Sequence, residues 1–415
     1  MFRSLLALIC LAAVARADDL AARAKQLHQS AIVLDTHVDA PDALSEKWAD
    51  VATRGATPHF DLPRAKEGGL SALFFSIYVS PGFADHGAAH RALELIDLTH
   101  RVVDEHPQDT VLATSVDEIR AAKKAGKLAV LMGIEGGHAI EDSLAVLRQM
   151  YRDGVRYMTL THVNTNHWAD SSGFYMLPDF DPKSYVEHKG LTDFGRAVVK
   201  EMNRLGMIVD ISHTSDATVD AVLDVSRAPV LASHSSCRAL SNMPRNLTDD
   251  QIKRIAAKGG VVMINVASTF LDQKVWDTFQ ARLAKVKPAY LELKKKFAKD
   301  PRQLFEGLRA LMEKLGPAPR ASWTKVVDHI EHVMQIAGED AVGIGSDFDG
   351  IPDPPDGLGD VSLLPKLTEE LLRRGHTDAQ VKKVLGENFL AFLGRVEATR
   401  ASLAKEPAGT AIYKP

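Results

Sequence analysis

The sequence holds only two cysteines in 415 residues, Cys10 and Cys237. Cys10 sits inside an N-terminal apolar stretch, so a chain that loses this stretch keeps one thiol and can form no intramolecular disulfide. Strong charge of one sign is also missing: 50 Lys and Arg against 54 Asp and Glu give a formal net charge of −4. Neither half is strongly basic, which removes the electrostatic footprint of nucleic-acid binding. Beyond the N-terminus no apolar run approaches the ~20 residues of a membrane span, and the tail Ala411-Ile412-Tyr413-Lys414-Pro415 is no anchor signal. Internal repeats and low-complexity tracts are lacking too.

What is present is a globular composition, 45% hydrophobic and 25% charged, with ample core. A prior of about 150 residues per domain suggests two or three domains, but α/β barrels exceed it as single domains. Arg3, the apolar stretch from Leu5 to Val14 and Ala15-Arg16-Ala17 follow the charged, apolar and small-residue order of a secretory signal. This predicts a signal peptide over 1–17, one domain over 18–415, a secreted or periplasmic location, and no membrane anchor after cleavage. A single thiol suits a bacterial envelope protein.

Eight apolar runs read as strands: 31–38, 70–79, 129–136, 157–162, 208–213, 230–234, 261–267 and 341–347. Most are continuous rather than alternating, as expected of parallel strands buried on both faces. Amphipathic helical stretches such as 143–152, 192–205, 216–226 and 249–257 lie between them, and Gly154, Gly206 and Gly259-Gly260 stand where those helices would end. Eight β-then-α units predict an α/β fold, a (β/α)8 TIM-type barrel, with a doubly wound open sheet as the alternative. A Lys-rich helical segment over about 270–319 interrupts the rhythm between strands seven and eight. It is either an inserted lid over the barrel mouth or a solvated excursion.

Barrel enzymes place their chemistry at the C-terminal ends of the strands. Strand one ends with His37 and Asp39, which would face the same way along an extended strand. Strand three ends with Glu135, strand four with His162, strand five with His213, strand six with His234 and strand eight with Asp347, followed by Asp349. Such residues at six of eight strand ends point to metal catalysis. His37, Asp39, Glu135, His213 and His234 are too many ligands for one catalytic zinc that must keep an open position. Two ions sharing Glu135 use them all: His37 and Asp39 on one, His213 and His234 on the other, roughly 3.5–4 Å apart. A shared water there becomes hydroxide, since bound metal lowers its pKa to about 7. Asp347 is then the candidate base that carries its proton to a leaving amine, and His162 the group that steadies charge on the carbonyl oxygen.

These motifs resemble the membrane (renal) dipeptidase family, zinc metallopeptidases of the amidohydrolase superfamily. The likeness rests on Asp35-Thr36-His37-Val38-Asp39, Gly133-Ile134-Glu135-Gly136-Gly137-His138, Met158-Thr159-Leu160-Thr161-His162, Asp210-Ile211-Ser212-His213, Ser233-His234-Ser235-Ser236, Pro244-Arg245-Asn246-Leu247-Thr248 and Gly343-Ile344-Gly345-Ser346-Asp347-Phe348-Asp349-Gly350. It implies hydrolysis of dipeptides, including L-Xaa-D-Xaa, with two Zn2+ per subunit held by His37, Asp39, Glu135, His213 and His234. It further implies substrate contacts from His162 and Arg245, an acid/base role for Asp347, and a tendency to homodimers. A guanidinium at Arg245 suits a dipeptide's free carboxylate because it forks onto it with two hydrogen bonds; the bland alternative is an ion pair with Asp249 or Asp250. The rival enzyme class is another binuclear amidohydrolase acting on a cyclic amide or β-lactam. Many of those bridge their metals with a strand-four Lys, where this chain has His162. A catalytically dead, metal-stabilised binding protein is the rival outside enzymes. His138 is expected behind the ligands, His167, Trp168 and Asp170 as pocket walls or loop packing, His329 and His332 as structural, and Cys237 as a small buried side chain.

Overall fold

The structure, a computed structural model, describes residues 19–298 and 300–414. The expected signal segment over 1–17, with Cys10, lies outside the described residues. Among the described residues, no helix is long and apolar enough to cross a membrane.

Nine strands are found among these residues: β1 (Leu34–Val38), β2 (Ala72–Tyr78), β3 (Thr110–Leu112), β4 (Leu128–Glu135), β5 (Val155–Thr159), β6 (Ile208–Asp210), β7 (Leu231–Ser235), β8 (Val261–Ile264) and β9 (Val342–Ile344). They form one sheet in the order β2-β1-β9-β8-β7-β6-β5-β4-β3, and β2 also pairs with β4. That pairing closes eight parallel strands into a (β/α)8 barrel. The sequence pointed to eight strands; the ninth, β3, pairs with Leu128, Ala129 and Val130 at the start of β4. From Met132 onward β5 occupies that edge instead. With three residues, β3 carries no apolar run that would announce it.

The barrel strands read as unbroken apolar runs because both faces are covered. Ala72 and Phe74 of β2, and Ala129 and Leu131 of β4, pack in an inner cluster with Phe389 and Phe392 of the C-terminal helix Asn388–Leu403. Leu73, Phe75, Ile77, Val130, Met132 and Ile134 alternate with them and pack in the outer layer against the helices. Each large apolar side chain so buried contributes about 1.5–3 kcal/mol. The two-residue period continues upward to Ser76 and Tyr78 on β2 and to Gly133 and Glu135 on β4. The inward column therefore changes from apolar to polar toward the C-terminal mouth.

Several helices start at side-chain caps. Ser143 accepts from the Val146 N–H and Thr192 from the Gly195 N–H, while Thr248 and Gln251 form a reciprocal capping box. Gly206 ends the helix Asp193–Leu205 with φ +79, a backbone that favours glycine. Between β8 and β9 the chain inserts a short helix, Ser268–Leu271, and two longer ones, Gln273–Lys296 and Pro301–Glu313. Val286, Tyr290 and Leu308 make a small core for this pair, joined by Leu177 from the loop after β5. The insertion and that loop meet above the barrel mouth.

Candidate metal centre and active site

Glu135 tops the inward column of β4 and is the hub of the site. Its Oε2 lies 3.6 Å from His37 Nε2. Its Oε1 lies 2.9 Å from His213 Nε2, 3.4 Å from His234 Nε2 and 3.9 Å from His162 Nε2. The two carboxylate oxygens thus face different sets of imidazoles. His37 Nε2 also lies 3.3 Å from Asp39 Oδ2. Among the described residues, three trios draw donor atoms within 4.8 Å of one another: His37, Glu135 and His234; Glu135, His162 and His213; His37, Asp39 and Asp347.

Two irregularities in the sheet aim these side chains. The β1–β2 register shifts between Asp35 and Val38, and the β7–β8 register shifts between Ala232 and Ser235. His37 and His234 sit at those shifts, and a bulge re-aims a side chain that regular alternation would send elsewhere. The expectation that His37 and Asp39 share one face of an extended strand is corrected here. Asp39 has left the strand, with φ −90 and ψ 20, and stands at the N-terminal boundary of the helix Ala40–Glu46 without a side-chain capping bond; the turn, not the pleat, brings its carboxylate back. His213, Asp347 and Asp349 take φ of +65, +66 and +69, unusual for residues with side chains. Asp347 is anchored by its N–H on the His37 carbonyl at 3.0 Å and by Asn265 Nδ2, which donates to its Oδ2 at 2.8 Å.

The imidazoles are oriented from behind. Tyr157 Oη donates to the Thr36 carbonyl at 3.2 Å and meets His37 Nδ1 at 2.7 Å. The phenolic oxygen is then the acceptor for His37 Nδ1–H, which leaves the Nε2 lone pair facing Glu135. Ser233 Oγ donates to Asp210 Oδ2 at 2.6 Å and takes His234 Nδ1 at 2.8 Å, with the same result for His234. Neither Tyr157, Ser233 nor Asn265 stood out in the sequence. Asn265 was open to discovery, since it follows the seventh barrel strand as the other polar residues follow theirs. Tyr157 had a subtler signal, its register opposite Gly133. A Cβ at Gly133 would fall 2.0 Å from Tyr157 Cζ, so the glycine is what lets the ring pass.

The donor set fits a cation. His37 Nε2, Asp39 Oδ2 and His234 Nε2 are buried and make no hydrogen bond, a costly arrangement without a further partner. A Cβ at Gly350 would fall 2.3 Å from Asp39 Oδ2 and 2.5 Å from Asp347 Oδ1, so the residue there must leave this space open. Burial pushes the Asp347 carboxyl well up, and the nearby Asp39 and Glu135 add to that while His37 opposes it. Burial would also raise Glu135, but His37, His162, His213 and His234 together hold it well below the usual range. Burial, with Arg245 near one and His37 near the other, keeps His213 and His234 low and so neutral, the form that binds metal.

A cavity of about 530 Å3 opens above these groups; Asp39, Glu135, His162, His213, Arg245 and Asp347 are among its lining. Arg245 is only 4% exposed. Its hydrogen bonds are long ones to neutral acceptors, Ser235 Oγ at 3.4 Å and the His234 carbonyl at 3.3 Å. The ion pair with Asp249 or Asp250 is not formed: Asp249 meets His332 and Asp250 faces Arg254. His138 is buried beside the Glu135 loop. Trp168 and Asp170 are buried in the loop packing, where Asp170 accepts from the Glu187, His188 and Gly190 N–H groups, and His167 pairs with Asp142 on the surface. His329 accepts the Cys237 N–H and Cys237 is buried beside it.

A parallel barrel with imidazoles and carboxylates converging at its C-terminal mouth defines a metallohydrolase. The chain belongs to the membrane dipeptidase family (peptidase family M19), whose profile matches residues 21–407, and is a metal-dependent dipeptidase. Among solved structures it resembles PvdM of Pseudomonas aeruginosa, a probable dipeptidase, with 29% identity over 92% of this chain and 99% of that one and a TM-score of 0.78. Dipeptidase AC, a metallopeptidase of the same family, shares 28% identity over 88% of this chain and 99% of that one, with a TM-score of 0.71. A metallopeptidase from Rhodobacter sphaeroides, solved with a phosphinate mimic of L-Ala-D-Ala, shares 27% identity over 88% of this chain and 100% of that one, with a TM-score of 0.70.

Proposed function

We propose that this chain cleaves dipeptides with a free C-terminal carboxylate, L-Xaa-D-Xaa among them, using two zinc ions shared by Glu135. His37 and Asp39 would hold one ion, and His213 and His234 the other. When bound, such a pair would make a water acidic enough to ionise near neutral pH and would supply the charge that polarises the scissile carbonyl. Arg245 receives the substrate's carboxylate; a buried guanidinium with no ion-pair partner among the described residues, facing the same cavity as Glu135, is the observation that carries this reading. Its fork matches a carboxylate with two charge-assisted hydrogen bonds. His162 reaches toward the carbonyl oxygen where negative charge develops. Asp347, lifted by burial and held by Asn265, takes a proton from the attacking water and delivers it to the leaving amine. The likeness to a protein solved with a mimic of L-Ala-D-Ala supports a D-residue at the C-terminal side. The signal pattern over 1–17 supports a site of action outside the cytoplasm.

The test is a screen of L-L and L-D dipeptides against the zinc-loaded protein, with tripeptides and C-terminal dipeptide amides as controls. Cleavage confined to dipeptides with a free carboxylate is expected. Comparable turnover of tripeptides or amides would reject Arg245 as the clamp, and no turnover of any dipeptide would reject the proposal.

A further inference from the structure

The cavity does not end at the reacting groups. From Arg245 a run of rings climbs out of the barrel into the inserted helices. The Arg245 guanidinium lies 5.5 Å from the Phe270 ring. Phe270 meets Tyr175 edge-on at 6.3 Å, Tyr175 meets Trp276 at 5.8 Å, and Trp276 stacks with Phe279 at 6.0 Å. Phe270, Tyr175 and Phe279 line the cavity, and Met312 from the second inserted helix lines it with them. Such ring pairs prefer these edge and offset geometries, so the wall is a packed surface rather than loose cover.

The wall is also held in place. Arg282 donates to the carbonyls of Met312 at 3.0 Å and Gly316 at 2.7 Å, which ties the end of the second helix to the first. Lys294 reaches Asp179 of the loop after β5 at 2.6 Å, and Phe174 of that loop meets Phe305 at 5.7 Å. A cavity of about 530 Å3 falls within the roughly 300–1,000 Å3 that holds drug-sized ligands; a dipeptide of two small residues would leave the ring-lined part open to water.

The geometry points to a preference for dipeptides whose C-terminal side chain is large and apolar, lodged against Phe270, Tyr175, Phe279 and Met312. The C-terminal residue is singled out because the wall begins beside Arg245, the group that grips its carboxylate; the inference rests on that reading. An apolar pocket of this kind discriminates by about 10- to 200-fold for small differences in side chain.

The test compares kcat/KM for Ala-Phe, Ala-Ala and Ala-Glu on the full zinc-loaded chain, with each C-terminal configuration measured. The wild type is expected to favour Ala-Phe over Ala-Ala by about tenfold or more. Phe279→Ala and Met312→Ala should each cut that ratio several-fold, whereas Leu291→Ala, on the helix of Phe279 but outside this cavity, should not move it. A ratio is independent of how much of a variant folds. A wild-type ratio near one, a preference for Ala-Glu, or a ratio unmoved by both wall variants would overturn the inference while dipeptidase activity stands. No turnover of any of the three would overturn the underlying reading and this inference with it.

Discussion

Replacing Tyr157 by Phe removes one oxygen from the barrel interior and should weaken metal binding more than it weakens the fold. The phenolic oxygen meets His37 Nδ1 at 2.7 Å and donates to the Thr36 carbonyl at 3.2 Å. His37 and Tyr157 are both fully buried, and the ring fills the space a side chain at Gly133 would take, so water is poorly placed to substitute. The variant leaves the Nδ1–H of His37 without an acceptor, a penalty of about 1–3 kcal/mol. It also frees the imidazole to turn or to adopt the tautomer that spoils Nε2 as a donor. Loss of an outer partner of this kind lowers metal affinity by about 10- to 100-fold, which agrees with that penalty. The assay is zinc binding to the apoprotein in chelator-buffered solutions, with thermal unfolding of the metal-free protein alongside. One of the two expected sites should weaken by that factor, with a modest fall in the thermal midpoint. Wild-type affinity at both sites would refute the claim that Tyr157 orients His37.

Three other outcomes are expected. Asp347→Asn should keep its zinc content but lose about 10²- to 10⁴-fold in turnover, the usual share of a general acid or base; unchanged turnover, measured beside metal content by atomic absorption, would remove Asp347 from the mechanism. Arg245→Met should lower kcat/KM for dipeptides by about 10- to 100-fold through loss of a charge-assisted contact, with no fall in thermal midpoint, since it removes a buried charge that has no acidic partner. A large stability loss with little kinetic change would make Arg245 structural. Gly133→Ala should destabilise by about 1–3 kcal/mol or more through overpacking against Tyr157, and a wild-type melting curve would show that the ring has room to move.

Much of this architecture was legible because the signals are local. Apolar runs marked the barrel strands, and Gly154, Gly206 and Gly259-Gly260 marked helix ends. The candidate ligands showed themselves by standing where strands end. Less legible features depend on contacts between distant segments. The short β3 is a strand only because β4 offers it an edge. Asp39 converges with His37 through a turn rather than through strand alternation, and the register shifts at His37 and His234 are set by their partner strands. The support of His37 by Tyr157 spans 120 residues, and no spacing rule reveals it. The inserted helices were evident as helices, but only their packing on the loop after β5 makes them a wall of the cavity.

Arg245 has a consequence for the end of the reaction as well as its beginning. On the proposed role of Arg245, cleavage of a dipeptide leaves the gripped carboxylate on the C-terminal amino acid, so the guanidinium would hold one product as it held the substrate. Free amino acids matching the C-terminal position would then compete with substrate, and the enzyme would slow as its own output accumulates.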